Sequence, residues 1–98
     1  MKLTNKQRNF LRNLANNIKP VVTIGQNGLS DEVLKELDST KKAHELLKIK
    51  IRASKEQRNV FIDKIINHSN AQLVQVIGNI IVIYHAFEDN PKILLPLD

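Results

Sequence analysis

Leu47-Lys48-Ile49-Lys50-Ile51-Arg52 alternates strictly between aliphatic and basic side chains. Successive side chains of a strand point to opposite faces, so one face here is apolar and the other carries three positive charges. This is the strongest strand signal in the chain, and the segments on either side fall into place around it.

Downstream, Ser54 and Gln57 form a capping box, which starts a helix anchored by Phe61, Ile62, Ile65 and Ile66. Asn70 is a suitable stop. Leu73 to Ile77 and Ile80 to His85 then flank Gly78-Asn79, a two-residue hairpin signal. The last strand is apolar on both faces, which predicts an interior place in the sheet. Glu88-Asp89-Asn90-Pro91 is loop-like, and Ile93-Leu94-Leu95 is expected to fold back onto the body.

Upstream, Ser30 caps a helix that opens with Asp31 and Glu32, buries Val33, Leu34 and Leu37, and places Lys41 and Lys42 near its end. Gly25-Gln26-Asn27-Gly28 is too rich in glycine for helix or strand and reads as a tight connection. Val21-Val22-Thr23-Ile24 before it is a β-branched strand. Thr4 and Gln7 make another capping box, and Phe10, Leu14 and Ile18, with Leu11 and Ala15, give an amphipathic helix of about four turns. Lys19-Pro20 ends it. The order α-β-α-β-α-β-β predicts an α/β fold: a mixed four-stranded sheet with helices packed on at least one face, in a single domain spanning residues 1–98.

Composition narrows the function classes. The chain has 98 residues, 42% of them hydrophobic, which suits one domain with one core. It contains no cysteine, so neither disulfides nor thiolate metal sites hold it, and a reducing cytoplasm is the expected setting. The N-terminus shows no secretory pattern, and the run from Leu73 to Ala86 is shorter than the about 20 residues a membrane helix needs. No membrane partner is expected. A GxSxG elbow, a Walker A loop and an HExxH pair are all missing, and no histidine pair has metal-ligand spacing, so neither an enzyme nor a cofactor is expected, nor a small-molecule substrate.

Charge is more informative. Fifteen Lys and Arg against ten Asp and Glu give a net +5, and the excess is segregated. No acid occurs from Met1 to Ser30, where Lys2, Lys6, Arg8, Arg12 and Lys19 lie. Only Glu56 interrupts Lys48, Lys50, Arg52, Lys55 and Arg58. Segregated charge creates a potential that polyanions feel.

Three features could meet a polyanion. Gly25, Gln26, Asn27 and Gly28 form a GxxG loop at a helix start, where glycine lets a phosphate approach the backbone, although a plain tight turn has the same pattern. The loop lacks a basic residue, and Asp31 and Glu32 oppose an anion there, so attraction must come from elsewhere. At ~100° per residue, Arg8, Arg12 and Lys19 share one flank of the first helix. Lys48, Lys50 and Arg52 share one strand face. Either cluster could equally be a solvated surface. Tyr84 is expected in the core, and His44 and His68 at helix ends.

Taken in order, Lys19-Pro20-Val21-Val22, Gly25-Gln26-Asn27-Gly28-Leu29, His44-Glu45-Leu46-Leu47-Lys48-Ile49-Lys50-Ile51, Gln75-Val76-Ile77-Gly78 and Val82-Ile83-Tyr84 resemble the CRM domain (chloroplast RNA splicing and ribosome maturation). The resemblance runs from about residue 2 to 96 and is closest to the bacterial stand-alone members of the YhbY type. It implies a fold like the C-terminal domain of translation initiation factor 3, with an added N-terminal helix. It also implies RNA binding through the GxxG loop and adjoining basic surface, with precursors of the large ribosomal subunit as the expected partner. Lys19 and Lys50 match basic positions of the family's motifs. His85 stands where the family often has a basic residue, so contact there is expected to strengthen on protonation. A monomer is expected. The alternative is a module that docks its basic face onto an acidic protein.

Overall fold

The alternating segment lies inside the sheet and has neighbours on both sides. The structure, a computed structural model, describes residues 2–25 and 27–97. Its elements are α1 (Asn5–Ala15), β1 (Val22–Ile24), α2 (Asp31–Ala43), β2 (Leu46–Ile51), α3 (Lys55–Ser69), β3 (Gln72–Ile77) and β4 (Ile80–Tyr84). The four strands are ordered β1-β2-β4-β3. β1 runs parallel to β2, while β4 is antiparallel to both β2 and β3. The hairpin therefore inserts its second strand between β2 and β3, which explains why β4 is apolar on both faces.

Strand alternation divides the core into two layers. Leu47, Ile49 and Ile51 join Val22, Ile24, Ile81 and Ile83 beneath Leu37 of α2 and Ile62 and Ile65 of α3. On the opposite face, Leu46, Val74, Val82 and Tyr84 pack under Leu3, Leu11 and Ala15, with Ile93 and Leu95 of the tail beside them. Helices thus cover both faces, α2 and α3 on one and α1 on part of the other. The tail does fold back, although Leu94 itself is exposed.

Helix ends follow the sequence closely. Thr4 and Gln7 form the full capping box, with Gln7 N–H donating to Thr4 Oγ1 at 3.1 Å and Thr4 N–H donating to Gln7 Oε1 at 3.0 Å. Ser54 Oγ accepts from Gln57 N–H at 3.2 Å, and Asn70 ends α3 in the left-handed conformation at φ 56°. The first helix is shorter than its apolar period suggests. It stops at Ala15, and Ile18 then donates to Ala15 O at 3.0 Å in a turn. Asn16 and Asn17 compete with helix through their own side chains, and the chain must straighten before Pro20 to enter β1.

Tyr84 is buried in the α1-side core, and its phenol pKa is raised above 10.0, first by burial and then by the charge of Glu45. The folded phenol thus holds its proton to higher pH than the unfolded one. Its contribution to stability is complete below pH 10.0 and is lost as pH rises through the folded value. Because Tyr84 is the only tyrosine, absorbance titration should show one phenolate midpoint above 10.0 in the native protein and a lower one in denaturant. Equal midpoints would contradict this placement.

Candidate nucleic-acid interface

Parallel pairing brings the C-terminal ends of β1 and β2 to one edge of the sheet. The GxxG loop leaves from the first and Arg52 from the second, with Arg52 N–H donating to Ile24 O at 2.8 Å. The β3–β4 turn closes the same edge, since Ile51 N–H donates to Asn79 O at 2.7 Å and Arg58 Nη1 to Asn79 Oδ1 at 3.0 Å. Ligands of open α/β sheets characteristically bind at this end of parallel strands.

The two glycines of the loop differ. Gly28 is buried at φ +66°, where an added Cβ would lie 3.1 Å from the Phe61 ring. Both facts demand glycine for internal reasons. Gly25 has no positive φ, and a Cβ there would meet nothing within 4 Å. Nothing inside the protein requires glycine at that position. The loop is held as a turn by Gly28 N–H on Gly25 O at 3.0 Å, and Ser30 N–H is bound to Gly28 O at 3.1 Å. Those two donors are already used, and Ser30 Oγ takes Val33 N–H at 3.2 Å. Asn27 is exposed, while Gln26 lies outside the described residues.

Gly28→Ala should therefore cost about 1–2 kcal/mol for the left-handed conformation alone, and more for the Phe61 contact. Gly25→Ala should change stability by no more than about 0.5 kcal/mol. Thermal denaturation of the two variants checks this, and equal losses would contradict the division of roles.

The basic residues of β2 lie on the α1 side of the sheet. By alternation Lys48 and Lys50 point to the same face as Leu46, and both are half-buried. Lys50 is flanked by exposed Thr23 and half-buried Ile80, whereas Lys48 lies beside Val82, which is buried in the α1-side core. The tail lies along the α1 flank of Gln7, whose Nε2 donates to Pro96 O at 3.0 Å. Leu14 and Ile18 border Ile93 on that side too. The opposite flank carries Arg12, whereas Lys19 lies past the end of α1, in the segment that Val21 N–H on Lys48 O at 3.1 Å ties to β2. Arg12 and Lys19 are exposed, as is Arg52.

Arg8 has a different task. Its guanidinium donates to the carbonyls of Leu73 and, at 3.3 Å, Val74, where β3 carries a bulge. It thereby satisfies backbone groups of an edge strand. Sequence reasoning also missed Glu45, which is buried between α2 and β2. Its carboxylate accepts from Phe87 N–H at 2.9 Å, Lys92 N–H at 2.8 Å and Ile93 N–H at 2.7 Å, pinning the tail. A lone acid directly before a buried strand was the available signal. Tyr84 and His85 do not join the basic face: the first is core, and the second is half-buried with its N–H on Glu45 O at 2.9 Å.

By alternation Lys48, Lys50 and Arg52 share the α1 face of β2, the glycine loop leaves the end of neighbouring β1, and Arg12 and Lys19 are exposed on and just after α1. Neither α1 nor any of the four strands contains an acidic residue; the acids lie on α2, α3 and the connecting and terminal segments. Among the described residues there is no group of three His, Asp or Glu placed to hold a metal, and no helix is long and apolar enough to cross a membrane.

Fold and site together define a small mixed α/β domain with a segregated cationic face. The chain belongs to the CRS1 / YhbY (CRM) domain family, whose model matches residues 3–85. It is 41% identical over 95 residues to an RNA-binding protein of Haemophilus influenzae, covering 96% of this chain and 95% of that one. It is 36% identical over 95 residues to the Bacillus subtilis protein named "Probable RNA-binding protein YqeI", covering 96% and 99% respectively. The solution structure of SAV1595 from Staphylococcus aureus superposes with a TM-score of 0.81 at 35% identity, over 97% of this chain and 100% of that one.

Proposed function

We propose that the chain binds RNA without catalysing a reaction on it, and that its target is ribosomal RNA or its precursor during assembly of the large ribosomal subunit. The observation that carries this reading is the separation of charge between the two layers. Lys48, Lys50 and Arg52 lie on the α1 side of a sheet whose strands carry no acid, and α1 and the segment after it add Arg12 and Lys19, whereas on α2 and α3 six acids are balanced by six Lys and Arg. A phosphate backbone laid across Lys48 and Lys50 relieves their mutual repulsion and releases condensed counterions. Gly25 supports the same reading, because the open space beside its backbone leaves room for a phosphate to approach. The RNA-binding names of the relatives agree.

Phosphate contacts position an RNA without reading its bases, so shape is the main selector across this face. The test is binding to large-subunit ribosomal RNA fragments across a salt series, with unrelated structured RNA as competitor. Saturable, salt-dependent binding that a competing fold displaces poorly is expected. Failure to bind any RNA would overturn the reading and leave an acidic protein partner to explain the basic face.

A further inference from the structure

A groove on the other side of the glycine loop is not used by the phosphate face. It lies between α2 and α3, has a volume of about 580 Å³, and shares Asn27 and Gly28 with the loop. Leu29, Leu34 and Phe61 give it an apolar, half-buried floor. Lys64, Asn67 and His68, all exposed, stand at its rim. His68 Nε2 is 3.0 Å from Asp38 Oδ1, which links the two helices beside it.

We infer that this groove takes one unpaired nucleobase of the bound RNA, a conclusion that rests on the RNA-binding reading. The volume falls in the range of small-ligand pockets, and an apolar floor under a few polar groups suits a flat heteroaromatic ring. Asn67 offers both a donor and an acceptor, which is what a base edge presents in return. A base within a helix has that edge occupied by its partner, so only a loop or bulge nucleotide can enter.

Electrostatics fixes the orientation. Asp31 and Glu32 at the start of α2 repel a phosphate from that helix end, so the backbone must stay on the Lys50 and Arg52 side. The base of the nucleotide at Gly25 then turns over the loop toward Asn27 and the groove. Gly28, whose absent Cβ leaves its backbone against the Phe61 ring, joins the loop to the groove.

The test uses an RNA stem-loop from the large subunit, the matching fully paired duplex, and stem-loops with an abasic site at each loop position in turn. One abasic position should weaken wild-type binding about tenfold, the size of a lost base contact. Asn67→Ala should bind that abasic RNA and its parent equally. The Asn67 side-chain amide resonance of the wild-type protein gives a second readout, which should shift with the stem-loop and stay still with the duplex. If no abasic position matters and the amide stays still while Arg12→Ala/Lys50→Ala still loses affinity, the groove is empty and the RNA reading survives. If neither RNA binds, both conclusions fall.

Discussion

Replacing Arg12, Lys48 and Lys50 together with alanine should weaken binding to large-subunit ribosomal RNA by roughly a thousandfold, at about tenfold for each charged phosphate contact. The log–log salt slope should flatten by about 2 to 3, because each contact contributes about 0.7 to 0.9. Stability should hold, since Arg12 is exposed and the two lysines are half-buried with no salt-bridge partner among the described residues. Arg8→Ala supplies the contrast. It uncaps the β3 carbonyls, so it should lower stability by about 1–2 kcal/mol and leave the slope unchanged. A triple variant that keeps the wild-type slope would remove the sheet face from the interface.

The largest effect on stability belongs to Glu45→Ala. Its carboxylate is buried and takes three backbone N–H groups from the tail, bonds of the charge-assisted kind. Without it those donors are unpaired unless the tail lifts away and uncovers the core around Leu11 and Tyr84. The tail's release limits the cost, which should be about 3 kcal/mol, or roughly 15 °C in Tm for a domain of this size. Glu45→Gln keeps one oxygen for Lys92 and Ile93 but turns an NH₂ toward Phe87, so its loss should be intermediate. Thermal denaturation gives the order. Amide exchange at Phe87, Lys92 and Ile93 should accelerate first, and protection retained there in the alanine variant would contradict the anchoring role.

Much of this architecture was legible in the sequence because local signals agreed. The alternation at Leu47 to Arg52, the capping residues Thr4, Ser30 and Ser54, and Gly78-Asn79 each act within a few residues of themselves. The double apolarity of β4 even announced its interior place. The half-cover of the α1 face was not legible, since it depends on where the helix crosses the sheet and on a tail more than seventy residues later in the chain.

The site was legible in its parts only. Periodicity put Arg8, Arg12 and Lys19 on one helical flank, but the helix ends at Ala15, before Lys19, and Arg8 reaches a bulge that no periodicity predicts. Gly25 and Gly28 look equivalent in the sequence and are separated only by backbone conformation and by Phe61, thirty-three residues beyond Gly28. Glu45 was missed because isolated acids usually meet water; its backbone partners are assembled only by the fold.

The central claim, that RNA lies across the acid-free face, is tested most directly by ultraviolet cross-linking to a large-subunit ribosomal RNA fragment, with the joined residues identified by mass spectrometry. Cross-links are predicted at Arg12 on α1 and Lys19 just after it, on β2 around Lys48 and Lys50, and at the glycine loop. Cross-links gathered instead on the outer surface of α2, at Lys35 and Lys42, or on the tail would contradict it.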